Sequence, residues 1–334
     1  MPAHIVPFTP EMIPGAAALL ARRHQRDRAA LPLLPQHPGN SAAQHAIQAA
    51  LARPHVSGVA AIDGDRLLGY LIGDMVIDSL WGRAAWVRPA GCALAEGQST
   101  DLIAPLYAEL GARWVSRGCF AHFAVMPTAD RVLLDAWFLL GFGVEQIHAL
   151  LPLDEIPQPA RPPAGISIRH ATPADRAIMA DFSGGIGQQQ VLAPTWGLTL
   201  PEQAPDLREG WGELVEDDTV DVWFAFEGDQ PVGTVTFFPS EVPQDFMFVP
   251  PQTTHLTCVV VREAARQRGV LRALLSCGLA HARAQGFQFC ETDWRSANLP
   301  IARALPRTGF RPALYRLVRR IDPRIAWANG STPD

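Results

Sequence analysis

The stretch Val259-Val-Val-Arg-Glu-Ala-Ala-Arg-Gln-Arg-Gly-Val-Leu-Arg-Ala-Leu-Leu275 changes character twice within seventeen residues. It closes a β-branched run, His255 to Val261, that reads as a strand. An arginine-rich turn with a single glycine, Gly269, follows. Beyond it Leu271, Leu274, Leu275, Leu279 and Ala282 recur at helical spacing as one apolar stripe, and Gly286 reads as the cap that stops the helix. A strand, a basic glycine loop and a helix N-terminus in that order suit a pyrophosphate. The first amides of the helix are free and the positive end of its dipole faces the anion. Arg262, Arg266, Arg268 and Arg272 are expected to add diffuse positive potential.

Working outward, the elements around this stretch occur twice. Thr9-Pro10 recurs as Thr172-Pro173, Gly64-Asp65 as Gly228-Asp229, and Gly69 as Gly233. Gly118 recurs as Gly286, and Gly141-Phe142 as Gly309-Phe310. The offsets drift only from 163 to 168 and the order is kept, so the chain reads as an internal repeat. Each Gly-Asp lies between two runs of strand character, Val59 to Ile62 with Leu67 to Ile72, and Val220 to Phe226 with Val232 to Phe238. That is a hairpin signal. Each copy reads as strand, helical region, hairpin, third strand, long helix, strand, helix and final strand.

Between the copies Leu151 to Gly165 carries five prolines, a composition that favours an extended connection. The expected organisation is a first domain over 1–154, a linker over 155–164, a second domain over 165–322 and a loose tail over 323–334. A length of 334 residues fits two such domains.

Composition narrows the class. Hydrophobic residues are 48% and charged residues 18%, which supports packed cores. A net charge of −5 gives no reason to expect nucleic acid. All 28 cationic residues are arginine, so lysine-based Schiff-base or P-loop chemistry is excluded. Five scattered cysteines form no disulfide or zinc pattern, and no metal is expected. Neither a signal peptide nor an apolar run long enough to span a bilayer is visible, so the protein is expected to be cytoplasmic and off the membrane.

Arg266-Gln-Arg-Gly269-Val-Leu271 resembles the acetyl-CoA motif of the GNAT superfamily of N-acyltransferases, Arg/Gln-x-x-Gly-x-Gly/Ala, and departs from it only at Leu271. The resemblance runs through the second copy, with Asn298 and Gly309-Phe310 at family spacing, and extends to the first in outline. It implies an α/β (α+β) fold of two tandem GNAT-like domains, each a mixed, mostly antiparallel sheet flanked by helices. Tandem members such as mycothiol synthase are organised in a similar way. It further implies an acetyl-CoA or other acyl-CoA co-substrate, with the backbone of Val259, Val260 and Val261 on the pantetheine. Amides of Arg266, Gln267, Arg268, Gly269, Val270 and Leu271 would hold the pyrophosphate, with Arg272 and Asn298 beside them. The first copy has Asp101, in the acidic stretch Ala95 to Leu102, where the loop should be. A carboxylate there repels phosphate, so one acyl-CoA per chain is expected. Ser99, Thr100 and Asp101 read instead as helix-capping residues.

Many family members keep a glutamate base eleven residues before the motif, and here that position is His255. An imidazole can take a proton from an ammonium, although a strand-end histidine satisfied by solvent is an equally open reading. Glu291 and Asp293 stand in reserve as base or amine counter-ion. The family tyrosine that protonates the thiolate falls at Leu305, so that acid is missing, and Tyr315 is the sole tyrosine of the second copy. It reads more readily as a core aromatic than as an acid. Acceptor choice falls to the region between first strand and hairpin, where Ser183 to Gln190 reads as a flexible polar loop, with Trp196 and Trp211 as pocket candidates. The expected activity is acyl transfer to a small-molecule or peptide amine by direct attack in a ternary complex, by a monomer or homodimer. An acyl-CoA-binding module without turnover is the alternative.

Overall fold

The computed structural model describes residues 3–37, 39–156, 161–241 and 245–328. The expected linker therefore lies partly, and the end of the expected tail wholly, outside the described residues.

In chain order the first half forms β1 (His4–Pro7), α1 (Ile13–Ala30), α2 (Ser41–Leu51), β2 (Ser57–Asp63), β3 (Arg66–Asp78) and β4 (Gly82–Val87). It continues with β5 (Cys92–Leu94), α3 (Ile103–Val115), β6 (Ala121–Pro127), α4 (Arg131–Leu139) and β7 (Gly143–Pro152). The second half forms β8 (Ile166–His170), α5 (Arg176–Phe182), α6 (Gly184–Gln190), α7 (Ala204–Glu213), β9 (Asp221–Glu227) and β10 (Gln230–Pro239). Then come β11 (Thr253–Val261), α8 (Val270–Ala284), β12 (Phe289–Arg295), α9 (Leu299–Thr308), β13 (Arg311–Arg320) and the short α10 (Ile325–Ala328).

The two compact units are not cut where the proline-rich segment suggests. One comprises Met1–Ile147, Val242–Val249 and Ala313–Asp334; the other comprises His148–Glu241 and Pro250–Pro312. The last strand of the chain thus belongs to the first unit, where β13 runs antiparallel to β6 with Tyr315 opposite Met126. Strand pairing is a non-local match of edges, so proximity in sequence to the second copy does not decide it. The 245–249 segment is likewise held in the first unit. Arg53 donates to both carboxylate oxygens of Asp245, at 2.6 and 2.9 Å, and Phe248 is fully buried.

Each unit is a mixed, mostly antiparallel sheet. In the first, β1, β2, β3 and β4 follow one another antiparallel, β4 pairs parallel with β6, and β6 pairs antiparallel with β13. In the second, β8, β9, β10 and β11 are antiparallel and β11 pairs parallel with β12.

The repeated glycines turn out to do one repeated job. After each of α3, α4, α8 and α9 the chain passes through a glycine at positive φ: Gly118 at 77°, Gly141 at 82°, Gly286 at 94° and Gly309 at 110°. In every case the glycine amide bonds the carbonyl three residues back and the next amide bonds the carbonyl five back, as in Phe287 N–H to Ala282 O. This is the Schellman closure, which needs a residue without a Cβ at the left-handed position. The two Gly-Asp pairs form two-residue hairpin loops between Asp63 and Arg66 and between Glu227 and Gln230.

In the second unit α8 packs on one sheet face, where Gly278 lies so close to the Phe237 ring that an added Cβ would sit 2.2 Å from it. The opposite face carries a core of Met179, Phe182, Trp211, Val222, Phe224 and Val260 beneath α5 and α7. Trp211 is therefore a packing residue, whereas Trp196 is exposed. Ser183 to Gln190 is not a flexible loop: α6 forms there despite its glycines. Gly185 allows α6 to approach Val260 so closely that a Cβ would meet it at 2.6 Å. Of the α8 stripe, Leu274, Leu275, Leu279 and Ala282 are buried, and Leu271 is half-exposed at the loop. No described helix is long and apolar enough to cross a membrane.

Candidate active site

β11 and β12 pair only over Thr253–Leu256 against Phe289–Thr292, and the Thr292 hydroxyl closes that stretch by donating to Leu256 O at 2.9 Å. Past Leu256, β11 continues to Val261 against β10 alone. The backbone of Val259 to Val261 therefore lies beyond the paired stretch of β11 and β12. Just past that stretch Cys258 holds φ at +49°, and the register with β10 shifts between Thr234 and Thr236. A non-glycine residue there is strained, and the bulge re-aims the backbone at the centre of the strand. Burial pushes the Cys258 thiol up to about 11, so it is no nucleophile at neutral pH.

β11 leads into the loop before α8. Gln267 and Gly269 both take left-handed φ, 61° and 84°. Among the described residues no backbone acceptor meets the amides from Gln267 to Arg272, which leaves a row of donors at the positive end of a fifteen-residue helix. The expected cloud of four arginines is thinner than the composition suggests. Arg262 pairs with Asp181 at 2.7 Å, and Arg268 grips Glu227 through two bonds at 3.0 and 2.5 Å. Arg266 bonds neutral oxygens, Val261 O and Gln189 Oε1, both at 3.0 Å, and so ties the loop to α6. Arg272 has no acidic partner among the described residues. Asn298, just before α9, has its Oδ1 buried with no hydrogen-bond partner, an orphan acceptor. Open amides, unbalanced arginines and an orphaned polar atom fit a nucleotide-bearing thioester.

The candidate acid–base residues lie on the same side of the sheet as α5 and α7. His255 is opposite Phe238 across β10 and opposite Glu291 across β12. Its Nε2 is 3.9 Å from Asp293 Oδ1, and Ser240 donates its hydroxyl to Glu291 Oε1. Burial alone favours a neutral imidazole, but the carboxylates of Asp293 and Glu291 outweigh it and hold the His255 pKa above 6.5. Burial also raises the Glu291 carboxyl above its usual range, against the Ser240 hydrogen bond and His255, with Asp293 pushing the same way as burial. Ser240 carries no motif; only the register of β10 against β11 reveals it.

Tyr315 is not part of this cluster. It lies on β13 in the first unit, half-buried against that unit's core. Leu305, at the family's tyrosine position, is buried.

The first unit has the same frame with different chemistry. Trp86 and Phe123 occupy the register positions of His255 and Glu291, stacked with centroids 4.3 Å apart. The carbonyls that follow β4 are taken internally. Arg23 donates to Pro89 O at 2.7 Å and to Cys92 O, Tyr70 donates to Ala90 O at 2.8 Å, and Ala90 N–H bonds Asp245 O. Ser99 Oγ caps the turn before α3 by accepting from the Asp101 amide at 3.2 Å.

Residues 189–310 match the model of the Acetyltransferase (GNAT) family. That segment is a GNAT domain. It marks an acetyltransferase of the acyl-CoA-dependent kind, in a chain that folds as two compact units. A GCN5-related N-acetyltransferase from Sphaerobacter thermophilus superposes with a TM-score of 0.59 at 17% identity, with 96% of each chain covered. A tandem GNAT protein from the clavulanic acid biosynthesis pathway superposes at 0.50 with 15% identity, covering 95% of this GNAT chain and 98% of its own. A glucosamine N-acetyltransferase region of a fungal multi-domain β-N-acetylglucosaminidase gives 0.57 at 13% identity, over 95% of this chain and 38% of that one. At such identities these likenesses establish the fold alone. No curated protein sequence matches the chain.

Proposed function

We propose that the second unit binds acetyl-CoA along Val259 to Val261 and at the Arg266–Leu271 loop. It then transfers the acetyl group to a small-molecule or peptide amine by direct attack in a ternary complex. The observation that carries this reading is the parallel register that sets His255 against Glu291, with Asp293 3.9 Å away, on the strand that runs into the donor loop.

The amine reaches the site as an ammonium. Glu291 and Asp293 supply the negative charge that attracts it, and His255 takes its proton to free the lone pair. The nitrogen then forms the amide bond as the carbon–sulfur bond breaks, and the second proton it sheds goes to the leaving thiolate or to water. The leaving thiolate needs no dedicated acid, since its conjugate thiol is already fairly acidic. The first unit, with Trp86 and Phe123 in place of the acid–base pair and its carbonyls internally satisfied, binds no acyl-CoA. All five cysteines are unbonded, which supports the cytoplasmic reading.

The test measures CoA release over a panel of amines beside the calorimetric affinity for acetyl-CoA. One binding event per chain and turnover with at least one amine are expected. Tight binding without turnover on any amine would leave a binding module in place of this mechanism.

A further inference from the structure

A second cluster lies elsewhere in the second unit. His170 ends β8, Asp221 begins β9 and His281 sits near the end of α8. Asp221 Oδ1 is 2.9 Å from His170 Nε2 and 3.2 Å from His281 Nε2, and one ligand atom from each residue lies within 4.8 Å of the others. We infer that these three residues form a divalent metal site, with Zn²⁺ as its natural occupant.

Three observations carry this. Zinc bonds of about 2.0 Å in tetrahedral array place neighbouring ligand atoms about 3.3 Å apart, close to the two separations seen here. His170 Nδ1 lies 3.1 Å from the Ala171 carbonyl, which can only accept, so the ring carries its proton on that nitrogen. His170 thereby turns Nε2, its other ring nitrogen, toward a carboxylate oxygen at 2.9 Å, so that one cation could bind both atoms. An imidazole whose second nitrogen donates to a carbonyl is also the usual orienting arrangement of a metal ligand. Finally, the ligands come from three separate elements, held by the Trp223 ring, which packs edge-on against both imidazoles at 5.1 and 5.5 Å. The half-exposed cluster leaves a fourth position for water. A metal here bolts the end of α8 to β8 and β9, away from the acid–base residues.

Metal-free full-length protein titrated with Zn²⁺ by calorimetry should take up one ion per chain at this site. His170→Gln and His281→Gln should each weaken that uptake at least about tenfold, whereas His45→Gln, on an exposed face of α2, should not. Zn²⁺ should raise the melting temperature of the parent protein and leave that of the two variants unmoved. Far-UV circular dichroism shows that the variants are folded before titration. Absence of saturable uptake, or equal uptake by parent and both variants, overturns the site; in that case a hydrogen bond with His170 satisfies Asp221 instead.

Discussion

His255 and Glu291 face each other across the parallel strand pair β11 and β12, and the same two register positions in the first unit hold Trp86 and Phe123. One frame thus carries a titratable pair in one copy and an aromatic stack in the other. In the proposed function this difference in side chains divides the labour between otherwise similar sheets.

If His255 is the base, its neutral form is the working one, and its pKa lies above 6.5. The rate at subsaturating amine should rise with pH through that raised value and then level off. His255→Gln should remove this limb and lower kcat about 10² to 10⁴-fold, with little change in acetyl-CoA affinity. A pH–rate profile of both proteins, with an amine of high pKa and one of low pKa to separate substrate ionisation, checks it.

Gly269→Asp places a carboxylate at the N-terminus of α8 and a side chain at φ +84°. Acetyl-CoA binding should fall more than about 100-fold, from charge repulsion and lost left-handed geometry together. Asp101→Ala, in the first unit, should leave binding nearly unchanged. Calorimetric titration distinguishes the two, and loss of binding in Asp101→Ala would mean that the wrong unit has been assigned.

Gly278→Ala forces a Cβ to within 2.2 Å of the buried Phe237 ring. The ring is buried, so relieving the contact displaces either its packing or α8. A loss of about 1 to 3 kcal/mol, read from urea unfolding, is expected. Gly286→Ala, which opposes only the left-handed cap, should cost about 1 kcal/mol.

Asp175 caps the turn after β8 by accepting from the Thr172 amide and hydroxyl, and receives two bonds from Arg169 at 2.8 and 2.7 Å. Arg169 first, and Thr172 with it, holds the carboxyl down to about 2 against a usual 3.8. A depressed carboxyl stabilises the fold above its unfolded pKa, and that contribution disappears as the pH falls from about 4 toward 2. Because Arg169 is half-exposed, about 1 to 2 kcal/mol is expected. The urea midpoint of Asp175→Asn should lie below that of the parent at pH 6, and the two should converge in acid.

Elements governed by their own few residues were legible in the sequence. Gly118, Gly141, Gly286 and Gly309 mark helix ends because only a residue without a Cβ takes the left-handed position cheaply. The loop after β11 was legible for the same reason, together with the amphipathic stripe behind it. Trp211, by contrast, remains a pocket candidate, though packing is the commoner role, until Met179 and Phe224 are placed around it. The arginine-rich loop showed its charges but not that Asp181 and Glu227, far off in sequence, balance Arg262 and Arg268.

The sequence by itself determined the repeat, the order of strands and helices, and which copy carries the strand–glycine loop–helix turn. Those are set by local sterics, hydrophobic period and capping. Only the tertiary structure decided that β13 belongs to the first unit, that Ser240 donates to Glu291, and that His255 stands between two carboxylates. These depend on strand register and on which edges meet, and they join residues tens of positions apart that no local preference connects.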